Sequence, residues 1–172
     1  MSRKTYQLGQ GIVEVVVALG TAVVIISAIA IAVITALDNA QYSKNQNLAT
    51  QYAQEGMEIV RQIRDSDYNK FTSYGNTGKT YCLGKNTQQL IPTDADCEQN
   101  VEAFVRKVML ENNSESCLSS LSPTPTGTPQ TPTRVEIVVL WSDSKCSGNV
   151  AFCHQVELVS CLSGINVIPT IQ

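Results

Sequence analysis

The chain has 172 residues, a formal net charge of −3 and a sequence pI near 5.1. That length leaves room for one membrane helix and one modest domain, and the acidic balance excludes the basic footprint of a nucleic-acid binder. All six cysteines lie between Cys82 and Cys161, which predicts a disulfide framework in an oxidising compartment. With no CxxC pair and His154 as the single histidine, the sequence gives little support to a zinc site.

In chain order, Arg3 and Lys4 precede Leu8-Gly9-Gln10-Gly11-Ile12-Val13-Glu14, and an apolar run continues from Val15 to Leu37. Of the 26 residues from Ile12 to Leu37, only Glu14 is charged. As a helix this run reaches roughly 39 Å, enough to cross a hydrocarbon core of about 30 Å with some tilt. A carboxylate at bilayer depth costs about 2 to 3 kcal/mol or more, so an acid inside such a run is a functional candidate. The plainer alternative puts Glu14 near the interface, where it stays hydrated. Basic residues before the run and Asp38 after it predict a cytoplasmic N-terminus and an outer C-terminal part. Ala28-Ile29-Ala30 and Ala30-Ile31-Ala32 offer signal-peptidase sites, but the run is too long, and with Glu14 too oddly charged, for a signal peptide.

A short basic leader, a glycine, an acid five residues after it and a long apolar helix together resemble the start of a type IV pilin or pseudopilin precursor. The resemblance implies that a prepilin peptidase cuts between Gly9 and Gln10 and methylates the new N-terminus, and that Glu14 is the family's acid. Gln10-Gly11-Ile12-Val13-Glu14 stands where the family usually has Phe-Thr-Leu-Ile-Glu, and the family's common mid-membrane proline is absent. The match covers about the first quarter of the chain. It implies a pilin-like α+β fold, with a long N-terminal helix that spans the membrane in its first half and packs on a small C-terminal antiparallel β-sheet. The implied partners are other pilin subunits, the prepilin peptidase, a membrane assembly platform and the lipid bilayer. No cofactor and no nucleic acid are expected.

Past the apolar run, Ala49, Tyr52, Ala53, Gly56, Met57, Val60 and Ile63 recur at spacings of three and four. They predict an amphipathic helix from about Asp38 to Arg64, with its stripe as the packing seam for a sheet. Asp65-Ser66-Asp67 and Asn69 predict the helix end, and the stretch from Glu55 to Ser66 is similar to the helix end of many minor pilins. The expected organisation is therefore a cleaved leader 1–9, a transmembrane and filament-core helix 10–37, an outer helix half 38–66 and a globular β domain 67–172.

Residues 68–100 read as a loop region with short strand-like runs at Thr80–Leu83 and Gln89–Ile91, tied down by Cys82 and Cys97. Three longer alternating runs follow. Val101–Leu110 aligns Phe104, Val108 and Leu110; Arg134–Trp141 aligns Val135, Ile137, Val139 and Trp141; His154–Leu162 aligns Val156, Leu158 and Leu162. Joined by chain reversals, they predict an antiparallel sheet with one face on a helix. Ser/Thr alternating with proline over 119–133 cannot form a ladder or helix and reads as an exposed connector, with a glycosylated or partner-facing loop as the alternative. Asn112-Asn113-Ser114 matches a glycosylation sequon, a pattern short enough to arise by chance.

Six cysteines allow fifteen pairings. Loop length favours Cys82 with Cys97 and Cys146 with Cys153, leaving Cys117 with Cys161. The residues offer no enzyme chemistry: His154 beside Cys153 reads as structural, and Asp94-Ala95-Asp96 lacks the further acids of a calcium loop. The expected function is a structural subunit, a minor pilin or pseudopilin, of a type IV pilus or type II secretion-like filament. The alternative is a membrane-anchored outer binding module or adhesin that does not polymerise, with a secreted enzyme behind it.

Overall fold

Strict alternation in the C-terminal half and a three-to-four repeat in the N-terminal half dictate a helix packed on a sheet. The computed structural model describes residues 10–85, 87–93, 96–118, 132–143, 145–146 and 151–164. The leader with Gly9, the dipeptide Asp94-Ala95 and residues 119–131 of the Thr/Pro-rich stretch lie outside them. The elements run α1 (Gln10–Ser66), α2 (Tyr68–Gly75), β1 (Thr80–Cys82), β2 (Ile91–Thr93), β3 (Val105–Asn112), α3 (Glu115–Leu118), β4 (Thr133–Trp141) and β5 (His154–Leu162). The strands form one antiparallel sheet in the order β2-β1-β3-β4-β5. The fold is thus α+β, a long N-terminal helix and a small antiparallel sheet. The chain divides between Lys44 and Asn45 into two compact units, so residues 45–66 of α1 belong with the sheet.

Within that second unit the predicted stripe is the seam. Ala49, Ala53, Met57, Val60 and Ile63 are buried, and so are Tyr81 of β1, Val108 and Leu110 of β3, and Val135, Ile137, Val139 and Trp141 of β4. Tyr81, Val108, Ile137 and Leu158 stand in one row across four strands, which fixes the register, because a slip of one residue would turn every apolar side chain outward. At Gly56 α1 comes close to side chains of the sheet. A Cβ there would sit 3.0 Å from Arg106 Cδ and 3.3 Å from Ile137 Cδ1.

Arg106 is fully buried, the one large charged side chain in this core among the described residues. It lies on the same side of β3 as Val108 and Leu110, so alternation alone carries it inside. Its Nε donates to the Leu83 carbonyl (3.0 Å), Nη1 to the Tyr52 carbonyl of α1 (2.9 Å) and Nη2 to the Gly84 carbonyl (2.7 Å). Glu55 stands 3.6 Å from Nη1. Burial pushes the guanidinium pKa down, opposed by Glu55, yet an arginine stays charged at any ordinary pH. The Asn100 carboxamide pairs with the Arg106 backbone in both directions, at 2.8 and 2.9 Å, as a neighbouring strand would.

The stretch 68–100 is not all loop. The acid expected to end the first helix also starts a second: Asp67, in extended conformation, accepts from the Lys70 amide and caps α2. Tyr68, Phe71 and Tyr74, three residues apart, are the helical signal that the turn-forming residues masked, and Phe71 is buried. The third predicted strand also begins later than expected. Residues 101–104 form a tight turn in which Phe104 N donates to the Val101 carbonyl at 2.9 Å. Glu102 takes a left-handed conformation there (φ 55°), and its carboxylate accepts from the Tyr52 hydroxyl and pairs with Lys85.

Asn112, the sequon asparagine, is structural. Its Nδ2 donates to the Thr72 carbonyl and to Asn76 Oδ1, both at 2.7 Å, and its Oδ1 accepts from Thr133 Oγ1 at 2.7 Å. These bonds tie α2 to β3 and β4, and they leave no room at Gly75, where a Cβ would lie 2.2 Å from Asn112 Oδ1. Gly75→Ala should therefore displace the carboxamide and destabilise the sheet domain by about 1 to 3 kcal/mol, less whatever the better helix former returns. Urea denaturation followed by the fluorescence of Trp141, the only tryptophan, reads this directly. An unchanged midpoint would show that Asn112 does not carry the contact.

Candidate assembly segment and the surfaces of the sheet domain

Residues 12–37 are rich in β-branched Val, Ile and Thr, so hydrophobicity and not helix propensity marks the segment, and nothing within the described residues covers it. Fifteen large apolar side chains from Ile12 to Leu37 are 51–69% exposed. The segment is long and apolar enough to cross a membrane. Glu14 lies in the second turn of α1, beside Val13, Val17 and Ala18 on an open helix surface. Gln10 is the first helical residue, and Gly9, the other predicted processing residue, lies outside the described residues. The helix hydroxyls turn inward on their own backbone: Thr21, Ser27 and Thr35 donate to Ala18, Val23 and Ile31 carbonyls at 2.8–3.0 Å. Such bonds let polar residues sit in an apolar helix without an unsatisfied donor.

The sheet domain is stapled by Cys82–Cys97, Cys117–Cys161 and Cys146–Cys153, the pairs that loop length favours. Cys82–Cys97 ties β1 to the segment after β2, Cys117–Cys161 joins α3 to the edge strand β5, and Cys146–Cys153 closes the connection between β4 and β5. Each staple contributes about 2 to 4 kcal/mol by restricting the unfolded chain, a large share for a domain this small.

On the sheet face away from α1, an open groove of about 630 Å³ is lined by Lys107, Met109, Glu136, Val138, Leu140 and Glu157, among others. Its charges are matched locally: Lys107 pairs with Asp96, and Arg134 with Glu136 and Glu157. Asp96, the one described residue of the predicted acidic turn, is thus held by a lysine. The groove has mixed chemistry and no converging set of reactive side chains.

Such a set occurs instead at the end of the β4–β5 hairpin. Trp141 and His154 are register partners. Asp143 lies 3.1 Å from His154 Nε2, and the Trp141 and His154 rings lie 5.4 Å apart. Asp143, Cys146, Cys153 and His154 each bring a ligand atom within 4.8 Å of the others. Read along the sequence, His154 is merely a residue beside a cysteine. The signal that would have found the cluster was the strand register, which folds Asp143 back over His154.

Three carboxylates of this domain are held below their ordinary pKa. Hydrogen bonds from Lys85 and then Tyr52 lower Glu102, and Lys107 lowers Asp96. At Asp143 burial pushes upward, but the Lys145 amide and His154 outweigh it. A carboxylate with a depressed folded pKa adds stability that is present above the unfolded value, about 4, and is lost as pH falls through the folded value. The domain should therefore hold its thermal midpoint from pH 7 to 5 and lose it below about pH 4, with a smaller drop in high salt because these pairs lie at the surface. A midpoint that stays level down to pH 2 would contradict this electrostatic picture. No family model, no curated protein and no solved structure matches the chain.

Proposed function

We propose that the chain is a structural subunit, of the minor pilin or pseudopilin kind, of a type IV pilus or type II secretion-like filament. The observation that carries the reading is the apolar segment 12–37, exposed along its length and interrupted by one acid placed five residues after Gly9. Lipid covers such a segment in the bilayer, and the same segments of neighbouring subunits cover it in a filament core. The disulfide-bonded sheet domain stays outside. In this reading the prepilin peptidase removes residues 1–9, methylates Gln10 and leaves the anchor in place, so one sequence serves first as a stored membrane protein and then as a filament subunit.

Glu14 is the register device. Cleavage after Gly9 creates a positive amine at Gln10, four residues or about one helical turn from Glu14. When apolar helices bundle, both charges leave water, and either one left unpaired costs several kcal/mol. The carboxylate therefore pairs with its own amine or with that of a neighbour, and the second pairing sets the axial position of an incoming subunit.

Two measurements test the proposal. Mass spectrometry of the mature protein should find an N-terminus at Gln10; a terminus following Ala30 or Ala32 would make the segment a signal peptide and remove the assignment. Glu14→Ala should leave membrane insertion and the disulfide-bonded domain intact while its recovery in sheared surface filaments falls by tenfold or more, equivalent to about 1.4 kcal/mol of assembly free energy. Normal incorporation of the variant would exclude Glu14 as the register device. Native protein confined to the membrane fraction would favour an anchored module that does not polymerise.

A further inference from the structure

The hairpin end that joins β4 to β5 carries chemistry that filament assembly does not use. Asp143 Oδ1 lies 3.1 Å from His154 Nε2, the Asp143 amide donates to Cys146 Sγ over 3.4 Å, and the Cys146–Cys153 disulfide completes the group. One ligand atom from each of the four residues lies within 4.8 Å of every other. Two sulfurs, an imidazole nitrogen and a carboxylate oxygen are a donor set that Zn²⁺ accepts tetrahedrally. With Zn–S near 2.3 Å and Zn–N or Zn–O near 2.0 to 2.2 Å, tetrahedral ligand atoms stand about 3.3 to 3.8 Å apart. The Asp143–His154 spacing is already close to that range. What the oxidised hairpin lacks is thiolate, since the two sulfurs are bonded to each other.

We propose that reduction of the Cys146–Cys153 disulfide converts this hairpin end into a Zn²⁺ site formed by Asp143, Cys146, Cys153 and His154. The hairpin is then closed covalently when oxidised and by a metal when reduced. The reduction needs a dithiol as the electron donor. The Cys146–Cys153 S–S bond and the donor's two S–H bonds break, two cysteine S–H bonds and the donor's own S–S bond form, and two electrons and two protons pass to the protein. Zn²⁺ then displaces both thiol protons to solvent and binds the thiolates, neutral His154 and the Asp143 carboxylate.

Two observations single out this disulfide, and its exposure is compatible with them. Its sequence separation of seven is the shortest of the three, so the sulfurs stay close after reduction. Cys153 is exposed, which gives a reductant access; Cys161 of Cys117–Cys161 is exposed as well, whereas Cys82–Cys97 has no exposed member. Neither of the other disulfides belongs to a group of metal-ligating side chains among the described residues. The inference does not depend on whether the chain enters a filament.

The test uses the full chain in detergent micelles, reduced with a dithiol that is then removed without oxygen, and titrated with Co²⁺ and then with Zn²⁺. One Co²⁺ per chain should bind with the visible bands of a tetrahedral ion and a thiolate charge-transfer band, and Zn²⁺ should abolish both. Oxidised protein should show neither band. Cys146→Ser together with Cys153→Ser should lose the bands, while Cys82→Ser together with Cys97→Ser should keep them.

Full reduction opens all three disulfides, so a second readout uses the native sequence after mild reduction. Zn²⁺ should block alkylation of Cys146 and Cys153, as peptide mapping reports, and leave the other cysteines at their metal-free rates. Lack of that selective protection in chains with both thiols free would overturn the site, as would Co²⁺ bands that persist in the Cys146/Cys153 double variant.

Discussion

Arg106 has five N–H donors and no access to water, and the sheet domain is arranged around supplying its acceptors. Carbonyls of Tyr52, Leu83 and Gly84 take its hydrogen bonds, and Glu55 stands by as the counter-charge. Two of these groups belong to α1, two to the segment after β1, and the arginine itself to β3. One side chain thus sets helix, strand and connector against each other. Removing one partner of a buried charge leaves the other uncompensated, at a cost of about 3 to 5 kcal/mol. The clamp therefore gives the domain little tolerance for alternative positions of residues 45–66 on the sheet. Gly56, one residue past Glu55, lets the helix come close enough for the Tyr52 carbonyl to be reached.

That constraint explains why α1 changes character along its length. From Asn45 onward its apolar residues form a stripe, because the sheet covers one side and water the other. From Ile12 to Leu37 apolar residues occupy every side, and no part of the described chain shields them. A helix that is apolar all round needs a surrounding that is apolar all round, a bilayer or other helices of the same kind. Residues 45–172, with the three disulfides, form a compact unit of their own.

Much of this was legible in the sequence. Strict alternation over Arg134–Trp141 appears as the buried–half-buried repeat of β4, and the stripe from Ala49 to Ile63 is the seam. Loop length sufficed for the disulfides because the two short pairs leave the third no choice. What the sequence hides lies where a residue's usual preference and its place in the pattern disagree. Arg106 falls between Phe104 and Val108 on the alternating face, although arginine is rarely interior. Asp67 follows one helix and also starts the next, which hides α2. Asn112 lies in a sequon short enough to arise by chance, and nothing in that pattern reveals that its carboxamide joins α2 to the sheet. Asp143 and His154 are eleven residues apart in the chain and meet only through strand register.

What covers residues 12–37 is the question on which the functional reading turns, and it can be measured without altering Glu14. A photo-reactive residue in place of Val16 or Ile26, both exposed on the apolar segment, would be activated in intact cells and in sheared filaments. Adducts joining one copy's 12–37 segment to the same segment of another copy, enriched in the filament fraction, are expected of subunits that bundle through this helix. Adducts to lipid alone, with no copy-to-copy product in any fraction, would contradict it.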